Sequence, residues 1–139
     1  MKKGFTLVEL LIVLAVIAAL MAVATPMALN AVKQAKASQV AQNLENIKTA
    51  EENYVNTEQT LPATTVDQLV SKNYLSSAPT NYTIDTKPTP TAWDNGQVKV
   101  TIIYRGGDVS VADVKKQNPN VIDGGSGALA LEATVVKWW

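Results

Sequence analysis

The chain has 139 residues, 47% of them hydrophobic and 17% charged, with 12 basic against 12 acidic side chains and a formal net charge of zero. That composition supports a folded core and gives no strong field to attract nucleic acid. Cys and His are both absent, which excludes disulfides, thiolate nucleophiles, a Ser-His-Asp relay and Cys/His zinc sites, and leaves carboxylate chemistry and hard-cation sites open.

The amino-terminal segment is basic, then apolar. Lys2 and Lys3 precede Gly4-Phe5-Thr6-Leu7-Val8-Glu9, and no polar side chain occurs in residues 10–24. Residues 5–29 are long enough to cross a bilayer, which takes about 20 helical residues, and the two lysines keep the amino end cytoplasmic. Three readings fit: a secretory signal cut after Ala22-Val23-Ala24, an uncleaved anchor, or a precursor trimmed close to its start. Glu9 separates them. A carboxylate deep in a bilayer costs about 2.5–3.5 kcal/mol, less near the interface, and no nearby partner is expected in the full-length chain. A cut between Gly4 and Phe5 creates an α-amino group four residues ahead of Glu9. One helical turn separates the two, so amine and carboxylate can pair within a chain or between neighbours.

Gly4-Phe5-Thr6-Leu7-Val8-Glu9-Leu10-Leu11-Ile12-Val13 resembles the amino-terminal motif of bacterial type IV pilins and of the pseudopilins of type II secretion. Pro26, twenty-second after the cut, matches a proline common in that helix. The resemblance covers about the first third of the chain. It implies that a prepilin peptidase cuts after Gly4 and methylates the Phe5 amine. It further implies that Glu9 guides subunits into a helical filament by neutralising a neighbour's Phe5 amine. Loss of residues 1–4 removes Lys2 and Lys3, leaving 10 basic and 12 acidic side chains and a net charge of −2.

The helical pattern continues past residue 29. Leu29, Val32, Ala37, Val40, Leu44, Ile47 and Tyr54 recur at spacings of three to seven residues, and Ala37, Val40, Leu44 and Ile47 form a seam on one face. Glu51 interrupts that seam. The pattern predicts one helix over residues 5–57, roughly 80 Å long. Its first half (5–29) is transmembrane and its second (30–57) amphipathic. Pro26 at their junction is read either as a modest kink or as a point where the helix melts in a filament, with Thr25 available to bond a freed carbonyl.

Residues 58–139 form the head. Thr65-Val66-Asp67-Gln68 is a capping box opening a short helix over 66–72, burying Val66, Leu69 and Val70. Strands are expected at 82–86, 97–105 and 128–138, with a loop at Lys87-Pro88-Thr89-Pro90. Asp94-Asn95-Gly96 is a hairpin turn. Residues 108–114 fit either strand or helix, and 123–127 read as a loop. The expected class is α+β: a long amino-terminal helix packed on a small antiparallel sheet of three to five strands.

Other features carry less. Gly124-Gly125-Ser126-Gly127 lacks the Lys-Ser/Thr ending of a phosphate loop and reads as a strand connection. Asp85, Asp94, Asp108 and Asp123 match no metal-loop spacing, so no metal and no cofactor are expected. Asn81-Tyr82-Thr83 is a formal glycosylation sequon. Trp138-Trp139 reads as edge packing or as an exposed contact patch. Lys137 and Arg105 beside aromatics are too few cations to argue DNA contact. Glu51 and Glu52 point in different directions on the helix, so no carboxylate pair for hydrolysis is formed and no catalytic residue is assigned.

The resemblance implies a structural subunit of a type IV pilus-like filament, with a type II secretion pseudopilin as the alternative and a secreted binding domain as the rival class. Its partners are copies of itself, minor pilins, the prepilin peptidase, the inner-membrane assembly machinery and, before assembly, the membrane itself. The head lies outside the cytoplasm, and the assembled filament at the cell surface. The missing cysteines depart from the many pilins whose carboxyl-terminal loop is closed by a disulfide.

Overall fold

The computed structural model describes residues 4–87 and 92–139. Pro88, Thr89 and Pro90 of the expected loop, and Lys2 and Lys3, lie outside those residues. The chain divides into two compact units, Met1–Ala35 and Lys36–Trp139. Helix α1, Leu7–Glu58, runs through both. This agrees with the predicted helix to within two residues at either end.

In the first unit α1 carries no polar side chain over residues 10–24, and its described residues are all exposed. Leu29 and Val32, which share the seam's spacing, are among them. The helix continues through Pro26. The Thr25 hydroxyl donates to the Met21 carbonyl at 2.9 Å. This is the usual back-bond of a helical threonine. It falls one residue short of the Ala22 carbonyl, which is the one that proline leaves without a donor. The expected compensation is therefore only adjacent.

The second unit is built on the remainder of α1. Ala37, Val40, Ala41, Leu44, Ile47 and Ala50 are buried at helical spacing, as the seam predicts, and Glu51 and Val55 continue the stripe. The sheet has four antiparallel strands in the order β1-β2-β4-β3: β1 Tyr82–Lys87, β2 Gln97–Tyr104, β3 Val121–Gly125 and β4 Ala128–Val136. Val100 and Ile102 of β2 and Leu129, Leu131 and Val135 of β4 share one core with the α1 seam. Alternation fixes the pairing. Register sets Ile102 against Leu131 and Val100 against Ala133, so a slip of one residue would turn the whole apolar set outward.

Two short helices close the unit. Helix α2, Val66–Ser71, has Thr65 as its N-cap, accepting from the Gln68 N–H. The Gln68 side chain reaches Thr64 instead of returning to Thr65, accepting from the Thr64 N–H at 2.7 Å. The expected box is thus displaced by one residue. Val66 and Leu69 are buried, whereas Val70 is only half-buried.

Residues 111–117 resolve as helix α3, Val111–Gln117, capped by Ser110, whose hydroxyl accepts from the Asp113 N–H at 3.2 Å. The expectation of a loop at 123–127 is corrected. Residues 121–125 form β3, and the turn is only Ser126-Gly127, with φ of +54° and +77°. Two successive positive φ values make the turn whose twist suits a hairpin. Gly124 gives up its side chain because a Cβ there would lie 3.3 Å from the Ala130 Cβ. The Asp94 turn forms as expected. Asn95 and Gly96 have positive φ, and Asp94 and Gln97 exchange both backbone bonds at 3.0 and 2.8 Å.

Candidate functional site

The amino-terminal motif straddles the start of α1. Gly4, Phe5 and Thr6 precede the helix, and Phe5 is 89% exposed. The helix begins where it does because Thr6 and Glu9 cap each other. The Thr6 hydroxyl accepts from the Glu9 N–H at 3.2 Å, and Glu9 Oε2 accepts from the Thr6 N–H at 3.0 Å. Two of the helix's orphan donors are satisfied this way, and a carboxylate in the first turn sits well with the helix dipole.

This corrects the expectation that Glu9 lacks a partner in the full-length chain, because its own capping box supplies one. The Thr-x-x-Glu signature was visible in the sequence. Its second oxygen keeps acceptor capacity for a further donor. Gly4 has no positive φ, and a Cβ built on it would meet nothing within 4 Å. Among the described residues nothing demands glycine at that position.

Beyond the motif, Leu7, Val8, Leu10, Leu11, Ile12, Val13, Leu14, Val16, Ile17 and Leu20 are about half or more exposed. The helix is long and apolar enough to cross a membrane. Apolar surface on this scale marks a membrane or protein contact.

In the second unit the predicted features are mostly dispersed. Among the described residues no three carboxylates or other ligand residues gather into a metal site. Asp108 accepts from the Tyr104 hydroxyl and pairs with Lys36 at 3.5 Å. Asp123 accepts from the Gly125 N–H at 2.9 Å. Arg105 and Lys137 follow opposite ends of the paired strands, because Tyr104 faces Leu129 while Gln97 faces Val136. About 3.3 Å per residue separates those ends along β2, so the two cations form no joint site.

The carboxyl-terminal tryptophans divide between the two readings. Trp139 is half-buried against the core and meets Trp93 edge-on at 5.5 Å. Trp138 is 65% exposed, with its Nε1–H donating to Asn56 Oδ1 at 3.0 Å. Lys137 Nζ lies 5.9 Å from the Trp139 ring. Asn81 of the sequon is exposed, with φ +69°. An open groove lined by Thr64, Asp67, Pro79, Tyr82 and Ile84, among others, offers a single carboxylate, Asp67, and one phenol, Tyr82.

Two electrostatic features were not anticipated. Tyr104 is buried, and its ring packs on Tyr82 at 4.7 Å. Burial and then the Asp108 hydrogen bond push the Tyr104 phenol well above its ordinary range, and that hydrogen bond, followed by the Asp108 backbone N–H and then Lys36, holds Asp108 below its own. Gly106 suits this arrangement: a Cβ there would overlap the Tyr104 hydroxyl, and one of the two would have to shift. The second feature is Glu51, which is 1% exposed in the core. Its signal was its position, four residues after Ile47 and four before Val55, on the seam it was read as interrupting. Glu52 beside it is half-buried, so the two acids do not share a site.

No curated protein matches the chain, and no solved structure does. Residues 1–25 match the family model described as the prokaryotic N-terminal methylation motif. The match spans Gly4, Phe5, Glu9 and the start of the apolar helix. The chain therefore carries the prepilin-like amino-terminal motif of type IV pilins and pseudopilins.

Proposed function

We propose that the protein is a structural subunit of a type IV pilus-like filament. It is made as a membrane-anchored precursor with its second unit outside the cytoplasm. A prepilin peptidase cuts it between Gly4 and Phe5 and methylates the new amine. The subunits then polymerise, with minor pilins and an inner-membrane assembly machine, through the apolar part of α1. The observation that carries this reading is the methylation motif joined directly to an apolar helix exposed on all its faces. In the membrane lipid covers that surface; in a filament the helices of neighbouring copies cover it. The Glu9 carboxylate, held at the first turn with an oxygen to spare, meets the Phe5 amine of a neighbour. The role is mechanical, with no catalysis. A secretion pseudopilin would use the same steps over a shorter filament.

The continuity of α1 argues against a signal peptide cut after Ala24. That bond lies inside a helix whose Thr25 is tied back to Met21. Pro26 is read as the place where this helix stretches on assembly, since proline leaves the ladder one bond short.

The reading is tested by shearing the surface of producing cells and examining the shed material by electron microscopy with an antibody to the second unit. Labelled filaments are the expected result. An unlabelled filament fraction, with the chain wholly soluble in the medium, would overturn it.

A further inference from the structure

Glu51 has no role in the assembly just described, yet it is the most unusual side chain in the second unit. It is 1% exposed, and neither of its carboxylate oxygens has a hydrogen-bond partner. The Ala63 backbone N–H faces the carboxyl without closing a bond of ordinary geometry. Ala63 belongs to segment 59–65, which joins α1 to α2. The segment leaves α1 at Gln59, a non-glycine residue with φ +51°, and enters α2 through the Thr65 cap. Pro62 and Ala63 are buried in its middle.

Among the described residues no charge compensates an ionised Glu51. On α1, Lys48 one turn earlier pairs with Glu45 at 3.2 Å, and Glu52 adds only like charge. Glu58 two turns later accepts from the Tyr74 hydroxyl and pairs with Lys72 at 3.8 Å. Segment 59–65 contains no ionisable residue. On α2, Asp67 is exposed. The core-facing side chains of β2 and β4 include Val100, Ile102, Leu129, Leu131 and Val135, all apolar, and Tyr104, whose phenol is uncharged and donates to Asp108. Burial pushes the Glu51 carboxyl up to about 8, with Ala63 drawing it back slightly.

We propose that Glu51 is a proton-operated latch: while neutral it lies buried beneath Ala63 and lets segment 59–65 stay seated on α1, and when ionised it leaves the core and frees the segment. The device is local. An ionised carboxylate without a partner must reach water; the backbone beside it is that of Ala63 in segment 59–65, which has few backbone bonds, whereas β2 is held by its pairing with β1 and β4.

The test is hydrogen–deuterium exchange of the full-length chain in detergent micelles at pH 6.5 and pH 9, corrected for the intrinsic pH dependence of exchange. Peptides covering 59–65 are expected to lose about tenfold in protection at pH 9, while β2 keeps its own. Glu51→Gln and Glu51→Met, which cannot ionise, are expected to hold the segment closed at both pH values. Three results would overturn the latch: equal protection of 59–65 at both pH values, the same loss in both variants, or loss of β2 protection together with the segment.

Discussion

Raising the pH from about 4.5 to about 8 is expected to lower the stability of the second unit by on the order of 3–5 kcal/mol through Glu51 alone. The sign follows from linkage. In the unfolded chain Glu51 ionises near 4.5, while in the folded unit it keeps its proton until about 8. Below 4.5 both states are neutral and the group contributes no penalty. Between the two values the unfolded state gains by ionising while the folded state cannot, at about 1.4 kcal/mol per pH unit. Above 8 both are ionised and the loss is complete. Asp108 acts in the opposite sense, since its folded value is depressed, but it works at lower pH, outside this window. Urea unfolding of the full chain in detergent at pH 5.5, 6.5 and 7.5 measures the slope. Wild-type stability is expected to fall across the series and that of Glu51→Gln to stay level. Parallel slopes in the two proteins would show that Glu51 is not the group responsible.

Glu9→Val is expected to leave the protein anchored in the membrane and to reduce its appearance in surface filaments at least tenfold. Removing a carboxylate from an apolar helix does not hinder insertion, because the acid opposes it. What is lost is the partner for the neighbouring Phe5 amine. The substitution also breaks half of the capping box with Thr6, and loss of a cap alone weakens a helix start by about 1 kcal/mol. Thr6→Ala separates the two effects, since it removes the cap and keeps the carboxylate. Thr6→Ala is expected to assemble nearly as well as the wild type. Equal failure of both variants would assign the defect to the helix start and not to charge pairing. Counting labelled filaments per cell in each strain supplies the comparison.

The elements that could be read from the sequence were those with strong local periodicity. The long helix, the seam from Ala37 to Ile47 and the alternation in β2 and β4 need only a count of spacing. Asn95-Gly96 needs only the rule for positive φ. Strand β3 escaped because Gly124 and Gly125 carry no β signature. They are in a strand because β3 pairs with β4, with a bulge between Asp123 and Gly125, which is a tertiary demand. Residues 108–114 fitted both periods, and Ser110 with Asp113 three residues later was the local signal that decides for α3.

At the candidate site, Gly4, Phe5 and Glu9 stand out as a motif, while Thr6 and Glu9 also spell a capping box, so one carboxylate carries both a charge and a cap. A carboxylate on an apolar stripe, here Glu51, reads as an interruption, and only the packing of segment 59–65 over it shows that it is enclosed.

The most direct test of the central claim is the intact mass and amino-terminal residue of the protein isolated from its native membrane and shed surface fraction. A chain beginning at Phe5 with a methylated amine is the predicted result, and it would establish the cut after Gly4 on which the pairing with Glu9 depends. A chain beginning at Thr25 would contradict the account, because the apolar helix would then be discarded and the second unit released as a secreted domain.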